Sequence, residues 1–194
     1  MKTVIIKYNA GNIRSVLFAL ERIGASAVVT DDAEEILAAD RIIFPGVGEA
    51  STAMNYLKQH KLDEVIRAAK QPLLGICLGL QLLCAHSEEN DTECLGVFQA
   101  KVKKFVSHDL KIPHIGWNDI QVTKDPLLAN VPDGYYCYFV HSYYAELNDY
   151  TIARTRYTGE FSSAIHRDNF YGVQFHPEKS AAAGEQILKN FLTI

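Results

Sequence analysis

The sequence predicts an α/β protein with a mostly parallel central sheet, helices on both faces, and antiparallel additions in the C-terminal half. In the first half, short apolar runs alternate with segments in which apolar residues recur at helical spacing. These runs are continuously apolar, which is typical of parallel strands covered on both faces. In the second half, strand-like runs follow one another with few helices between them, which indicates antiparallel pairing.

The elements of the first half follow in regular order. Strands are predicted at residues 3–7, 26–30, 41–44 and 72–76. Helices are predicted at residues 13–23, 33–39, 54–69 and 78–85. Gly24 comes directly after the first helix and is expected to end it.

The second half is predicted to be almost entirely strand. The runs lie at residues 97–105, 118–122, 135–138, 145–147, 152–157, 162–166 and 170–174, and a last helix at 182–192 closes the chain. The sequence has no internal repeat, low-complexity tract or linker. We therefore expect a single domain spanning residues 1–194.

Composition and charge exclude several classes of protein. The net charge of −4 argues against a nucleic-acid partner, and no segment approaches the roughly 20 apolar residues of a membrane span. The apolar stretch near the start is too short for a signal peptide, so we expect a cytoplasmic protein. The four cysteines form no C-x-x-C pair and have no metal-ligand spacing to the histidines, so we expect free thiols, no metal and no cofactor.

One of these cysteines stands at a predicted strand-to-helix junction. Residues 75–81 read GICLGLQ, with Cys77 between Gly75 and Gly79. A G-x-C-x-G turn from a strand into a helix is typical of a nucleophile elbow, which exposes the sulfur at the carboxyl edge of the sheet. The positive end of the helix favours a thiolate there. The alternative is a buried core cysteine whose glycine neighbours serve only packing.

A base and an acid follow another predicted strand. His176 comes just after residues 170–174, and Glu178 lies two positions further on. A thiolate nucleophile needs a base, and the base needs a third group that fixes its tautomer. Cys77, His176 and Glu178 are therefore predicted to form a catalytic triad, although a lone His-x-Glu is more often a surface turn.

Acyl transfer also needs donors for the oxyanion. The backbone N–H of Leu78, just after the nucleophile, is one candidate. The other is the loop after the third strand, with Gly46, Val47 and Gly48, unless it is an ordinary glycine turn.

Together these motifs resemble a known family. GICLGLQLL, PGVG and FHPEKS look like the class I (triad) glutamine amidotransferases. More narrowly, YNAGNIRS at residues 8–15, PHIGWN at 113–118 and HSY at 141–143 are similar to the glutaminase subunits of imidazole glycerol phosphate synthase, in histidine biosynthesis.

The resemblance implies a role for each matching residue. Cys77 would attack the side-chain amide of glutamine, His176 would protonate the departing ammonia and then activate water, and Glu178 would orient His176. Further residues would hold the substrate glutamine: Gln81, Ser142 and Tyr143.

The resemblance also implies a partner. Ammonia would pass to a (βα)8-barrel cyclase subunit, with which the chain would form a heterodimer. The residues at or near that interface would be Asn12, Trp117, Tyr138 and Lys179. From packing considerations alone, the single tryptophan is as well suited to a core as to an interface.

The chain departs from the family pattern at three places, none of them in the triad. Lys7 replaces a residue that is often acidic, Leu80 replaces a usual Met or His, and Glu49-Ala50 follows the glycine loop where a bulkier pair is common.

The sequence leaves other functions open. The chain could be a glutaminase for anthranilate, carbamoyl phosphate or pyridoxal phosphate synthesis, a γ-glutamyl hydrolase or cysteine peptidase, or a non-catalytic interaction module.

Overall fold

The computed structural model describes residues 1–9 and 11–194, so Ala10 of the YNAGNIRS motif lies outside the described residues. The helices among them are α1 (Ile13–Arg22), α2 (Ala33–Leu37), α3 (Ala50–Gln59), α4 (Leu62–Ala68), α5 (Leu78–Leu83) and α6 (Ala181–Phe191). The strands are β1 (Thr3–Ile6), β2 (Val28–Thr30), β3 (Arg41–Gly46), β4 (Leu73–Cys77), β5 (His86–Ser87), β6 (Thr92–Glu93), β7 (Lys101–Lys104), β8 (His114–Val122), β9 (Tyr135–His141), β10 (Tyr143–Ala145), β11 (Thr151–Arg156), β12 (Glu160–Arg167) and β13 (Phe170–Val173).

Nine of these strands form one mixed sheet in the order β2-β1-β3-β4-β13-β12-β11-β8-β9. The pairs from β2 to β13 are parallel, and the pairs from β13 to β9 are antiparallel. This arrangement confirms the predicted fold class. It also brings the carboxyl ends of β3, β4 and β13 to one edge of the sheet, where ligands of open α/β sheets bind.

The parallel strands are buried on both faces, as their continuous apolar runs predict. On β1, Val4 and Ile6 pack on the face that carries α2 to α5, whereas Ile5 packs on the face that carries α1 and α6. All three side chains are fully buried, and each contributes roughly 1.5–3 kcal/mol of transfer free energy. The sheet is therefore the centre of a two-sided core.

A second, four-stranded sheet was not predicted. Its order is β10-β7-β5-β6, so β7 and β10 pair with each other and not with the main sheet. The strand predicted at 97–105 is wrong before Lys101, because the backbone there is tied to the end of α5 through Phe98 N–H to Leu83 O. The strand predicted at 145–147 starts earlier, at Tyr143.

The long helix predicted at 54–69 is also wrong, because it is two helices. Lys61 adopts a left-handed conformation with φ 56°, which ends the helical path between α3 and α4. Across the described residues, no helix has the length and apolar character that a membrane crossing requires.

Candidate active site

Cys77 stands at the turn where β4 runs directly into α5. It is a non-glycine residue with φ 54° and ψ −109°, a strained conformation that sharp nucleophile turns adopt. The two flanking glycines leave no room for a side chain. A Cβ at Gly79 would overlap the carbonyl oxygen of Phe44, and one at Gly75 would lie 2.8 Å from the backbone nitrogen of Leu80. The glycines thus allow β3, β4 and α5 to meet closely around the sulfur.

His176 reaches the same edge of the sheet from β13. In the parallel pairing of β13 with β4, Val173 stands beside Ile76, so the segments after both strands emerge together. The Nδ1 atom of His176 lies 2.9 Å from Oε1 of Glu178, and both side chains are buried. Because a carboxylate accepts, this contact fixes the proton on Nδ1 and turns Nε2 toward other partners.

Backbone hydrogen bonds hold the main chain of His176 in place. The backbone N–H of His176 donates to Tyr138 O at 2.9 Å, and Ser180 Oγ donates to His176 O at 2.6 Å. The same Ser180 hydroxyl accepts from Tyr138 N–H at 3.0 Å. Through these three bonds, β9 and the start of α6 position His176.

The protonation of His176 follows from its neighbours. Burial alone would lower its pKa, but hydrogen bonds to Cys77 and Glu178 and the negative charges of these groups raise the pKa to about 10. The imidazole therefore keeps its proton at neutral pH beside the sulfur and the carboxylate. Such a pair is suited to a thiolate nucleophile with an imidazolium partner.

The glycine loop after β3 lies next to the elbow. Gly46 stands beside Cys77 in the parallel register of β3 and β4, and a Cβ on Gly46 would lie 2.6 Å from the Tyr8 hydroxyl. Gly48 has φ +106°, a conformation that glycine adopts readily. The loop therefore passes the sulfur closely and can present its backbone there.

A cavity of about 340 Å³ opens at this edge. It is lined by Val47, Gly48, Cys77, Leu78, Gln81, Glu89, Pro113, Val140, His141, Ser142, Tyr143, His176 and Lys179. The structure thus gathers nine of the predicted site residues around one cavity. Among the others, Glu178 lies behind His176, Gly46 lies under the elbow, and Trp117 and Tyr138 face outward on β8 and β9.

Gln81 uses its amide nitrogen within the protein. Its Nε2 donates to Tyr143 O at 2.8 Å and to Gln174 Oε1 at 3.1 Å, so both N–H groups are occupied. Only its Oε1 is left to accept a donor from a ligand. Gln81 therefore orders the segment of Ser142 and Tyr143 as well as lining the cavity.

Behind that segment lies a histidine pair that was not predicted from the sequence. His141 Nδ1 donates to Tyr143 O at 2.8 Å, so its Nε2 accepts from His114 Nδ1 at 3.0 Å. Burial lowers the pKa of His114 to about 4 and that of His141 to about 3, which keeps both rings neutral. Their presence in the PHIGWN and HSY stretches was the available signal.

Glu89 is another polar lining residue that the sequence did not indicate. Its Oε2 accepts from the backbone N–H of Ala50 at 2.7 Å, and burial raises its pKa. It belongs to a short polar turn without a motif of its own, and only the folding of β5 and β6 brings it to the cavity.

The outer face of β8 and β9 is apolar and exposed. Trp117 stands opposite Tyr138 in this antiparallel pair, with an edge-on contact of 5.9 Å between ring centroids. Lys179 Nζ lies 5.8 Å from the Tyr138 ring centroid. Ile115 and Trp117 are 60% and 51% exposed, which is unusual for side chains of this size. Asn12 lies at the N-terminus of α1, where its Oδ1 accepts from Ser15 Oγ.

A cysteine elbow, a carboxylate-bound histidine and a glycine loop around one cavity are the groups that thiol-dependent acyl transfer requires. Residues 4–194 match the family described as glutamine amidotransferase class-I, and the chain belongs to this family of enzymes. The family predicted from the motifs is thereby confirmed.

Two relatives are similar to the chain over its full length. The chain is 54% identical to a Bacteroides fragilis protein named imidazole glycerol phosphate synthase subunit HisH, over the full length of both chains. It is 49% identical to the HisH subunit of Idiomarina loihiensis, over all of this chain and 98% of that one.

A solved structure shows the same fold at low identity. A protein from Thermoplasma acidophilum, described as a putative GMP synthase component, superposes with a TM-score of 0.77 at 20% identity, covering all of this chain and 93% of that one. At this identity the likeness concerns the fold alone.

Proposed function

We propose that the chain is the glutaminase subunit of an imidazole glycerol phosphate synthase in histidine biosynthesis. In this role it hydrolyses the side-chain amide of glutamine and supplies the ammonia to a partner subunit. The full-length identity of 54% to a HisH subunit supports the assignment. The observation that carries the chemistry is Cys77 on a strained elbow, beside an imidazole that Glu178 holds at 2.9 Å.

The first step is attack on the amide carbon. The thiolate of Cys77 forms a C–S bond to the side-chain carbonyl carbon of glutamine, and the π electrons move to the carbonyl oxygen. The backbone N–H of Leu78 and a backbone N–H from the loop of Gly46, Val47 and Gly48 would stabilise that oxyanion. The positive end of α5 acts in the same direction.

The second step releases ammonia. As the tetrahedral intermediate collapses, the C–N bond breaks and His176 gives its Nε2 proton to the departing nitrogen. The product is a γ-glutamyl thioester on Cys77. Neutral His176 then takes a proton from water, hydroxide attacks the thioester, and glutamate leaves as the thiolate returns. Glu178 accepts the hydrogen bond from Nδ1–H throughout and so stabilises the imidazolium.

The ends of the substrate would be held by the cavity wall. Glu89 is a carboxylate beside the cavity and suits the α-ammonium of glutamine, and the free Oε1 of Gln81 is a second acceptor. The segment of Ser142 and Tyr143, ordered by Gln81 and His141, would bind the rest of the amino-acid backbone.

Ammonia needs a docked acceptor, because free ammonia protonates and diffuses away at neutral pH. We place the partner on the apolar face of Trp117 and Tyr138, with Lys179 and Asn12 at its margin. Tyr138 O accepts from the backbone of His176, so docking on this strand can adjust the triad. We further propose that the partner is a (βα)8-barrel cyclase, that the chain acts as one domain, and that it works in the cytoplasm.

Substitution of the nucleophile tests the proposal. Cys77→Ala should abolish glutamine-dependent formation of imidazole glycerol phosphate by the complex and leave ammonia-dependent formation intact. Cys94→Ala is the matched control, since both thiols are 6% exposed. Glutamine-dependent turnover that survives in Cys77→Ala would refute the mechanism, and co-purification with another synthase would refute the assigned acceptor.

A further inference from the structure

The sulfur of Cys77 has a second polar neighbour besides His176. Gln174 follows β13 and is fully buried, with its Nε2 3.6 Å from Cys77 Sγ. It does not line the cavity, so its amide meets the sulfur from the protein interior while a substrate enters from the other side.

The direction of this hydrogen bond follows from the chain of contacts behind it. Tyr143 O can only accept, so the group of Gln81 that faces it at 2.8 Å is the NH₂ group. That same NH₂ group faces Gln174 at 3.1 Å, which must therefore present its oxygen there. The NH₂ group of Gln174 then points at the sulfur.

We propose that Gln174 is a catalytic residue that donates an amide N–H to the thiolate of Cys77, with Gln81 fixing the orientation of the amide. A donor to an ionised acceptor makes a stronger bond than one to a neutral thiol, so the contact favours the thiolate. The amide itself has no titration in the working pH range and donates at every pH.

The other groups near the sulfur do not supply this donor. The Tyr8 hydroxyl donates its proton to Pro45 O at 2.8 Å. Val140 O lies 3.8 Å from the sulfur and can only accept. His176 gives its proton to the leaving ammonia and later takes another from water, whereas the Gln174 amide faces the sulfur as a donor in every step. The amide would thus support the thiolate as leaving group when the thioester is hydrolysed.

The test measures the reactivity of Cys77 with iodoacetamide as a function of pH, with the alkylated cysteine identified by peptide mass spectrometry. In Gln174→Met, which keeps the volume and removes the donor, we expect the pH of half-maximal alkylation to rise by about one unit. The variant leaves the other titratable groups around the sulfur unchanged, including Glu178 behind His176. Those that face the sulfur or line its cavity are His176, Tyr8, His141, Tyr143, Glu89 and Lys179.

A second variant guards against a folding defect. Gln174→Asn keeps an amide, but its side chain is one methylene shorter, so the amide lies further from the sulfur. We therefore expect a smaller rise in the pH of half-maximal alkylation than in Gln174→Met. Circular dichroism reports whether each variant is folded. Unchanged midpoints in folded variants would overturn the role of Gln174. This inference depends on the proposed nucleophile, and failure of Cys77 to alkylate in the unsubstituted protein would instead count against the proposed function.

Discussion

The backbone N–H of His176 donates to the carbonyl oxygen of Tyr138 at 2.9 Å, while the Tyr138 side chain faces outward between Trp117 and Lys179. Tyr138 thus contacts the backbone of His176 with its main chain and an exposed apolar surface with its ring. A partner that moves β9 would move His176 with it. This is a direct physical route by which docking can change the rate of glutamine hydrolysis.

Removal of the Tyr138 ring should separate docking from hydrolysis. Tyr138→Ala keeps the backbone bond to His176 but loses the ring contacts with Trp117 and Lys179. We expect the partner-induced rise in glutaminase rate to fall by roughly tenfold or more, with basal hydrolysis little changed. Leu37→Ala, which truncates a 44% exposed side chain on α2, is the control. Equal activation of both variants would contradict the proposed interface.

The carboxylate of Glu178 should matter most on the alkaline side of the pH profile. Glu178 helps to raise the pKa of His176 to about 10, so Glu178→Gln lowers it and the imidazolium is lost at a lower pH. Glutaminase kinetics should show a kcat reduced by roughly 10³-fold, with an alkaline limb that begins at lower pH. A variant with an unshifted alkaline limb would show that Glu178 does not hold the proton of His176.

Close packing at the elbow predicts a sharp difference between two glycines. A Cβ at Gly79 would overlap Phe44 O, whereas one at Gly159 meets no atom within 4 Å. Gly79→Ala should therefore lower the free energy of unfolding by at least about 3 kcal/mol, and Gly159→Ala should change it by less than about 0.5 kcal/mol. Urea denaturation measures both, and similar values would contradict the close contact of β3 with α5.

The buried histidines predict a loss of stability in acid. The pKa values of His114 and His141 are lowered from 6.5 to about 4 and about 3. Below pH 6.5 the unfolded chain therefore binds protons at these histidines while the folded protein does not. The free energy of unfolding should fall as the pH drops from about 6.5 toward 4, by up to about 3 kcal/mol for each histidine. His176 acts oppositely: its contribution is complete below pH 6.5 and is lost as the pH rises toward about 10.

His114→Phe tests this origin of the acid sensitivity. The ring stacks on Tyr157 at 4.0 Å between centroids, so phenylalanine keeps the packing and loses the titration. Denaturation series at several pH values should show a shallower acid slope in the variant. An identical slope would place the acid sensitivity elsewhere.

The sequence predicted best those features in which the local residue pattern agrees with the fold. Continuous apolar runs indicated the parallel strands, and glycines around Cys77 indicated a turn that the structure shows as a strand-to-helix junction. The break at Lys61 escaped prediction because the apolar spacing continues through it while only the backbone changes direction. The small sheet escaped because β5 and β6 are two-residue strands that exist only through their pairing.

The residues in and around the site that were not predicted depend on long-range contacts. Glu89 reaches the cavity through the small sheet, and Gln174 meets Cys77 across a separation of 97 positions. His114 and His141 become a pair only in the register of β8 with β9. Such residues carry no local pattern, because their chemistry arises when distant strands align.

Trapping the thioester tests the central claim most directly. The protein with its partner and glutamine is quenched in acid during turnover, digested, and examined by mass spectrometry. The account predicts that the peptide carrying Cys77 gains the mass of one γ-glutamyl group, that hydroxylamine removes it, and that Cys77→Ala shows no adduct. An active enzyme with no adduct on Cys77, or with the glutamyl group on another residue, would contradict it.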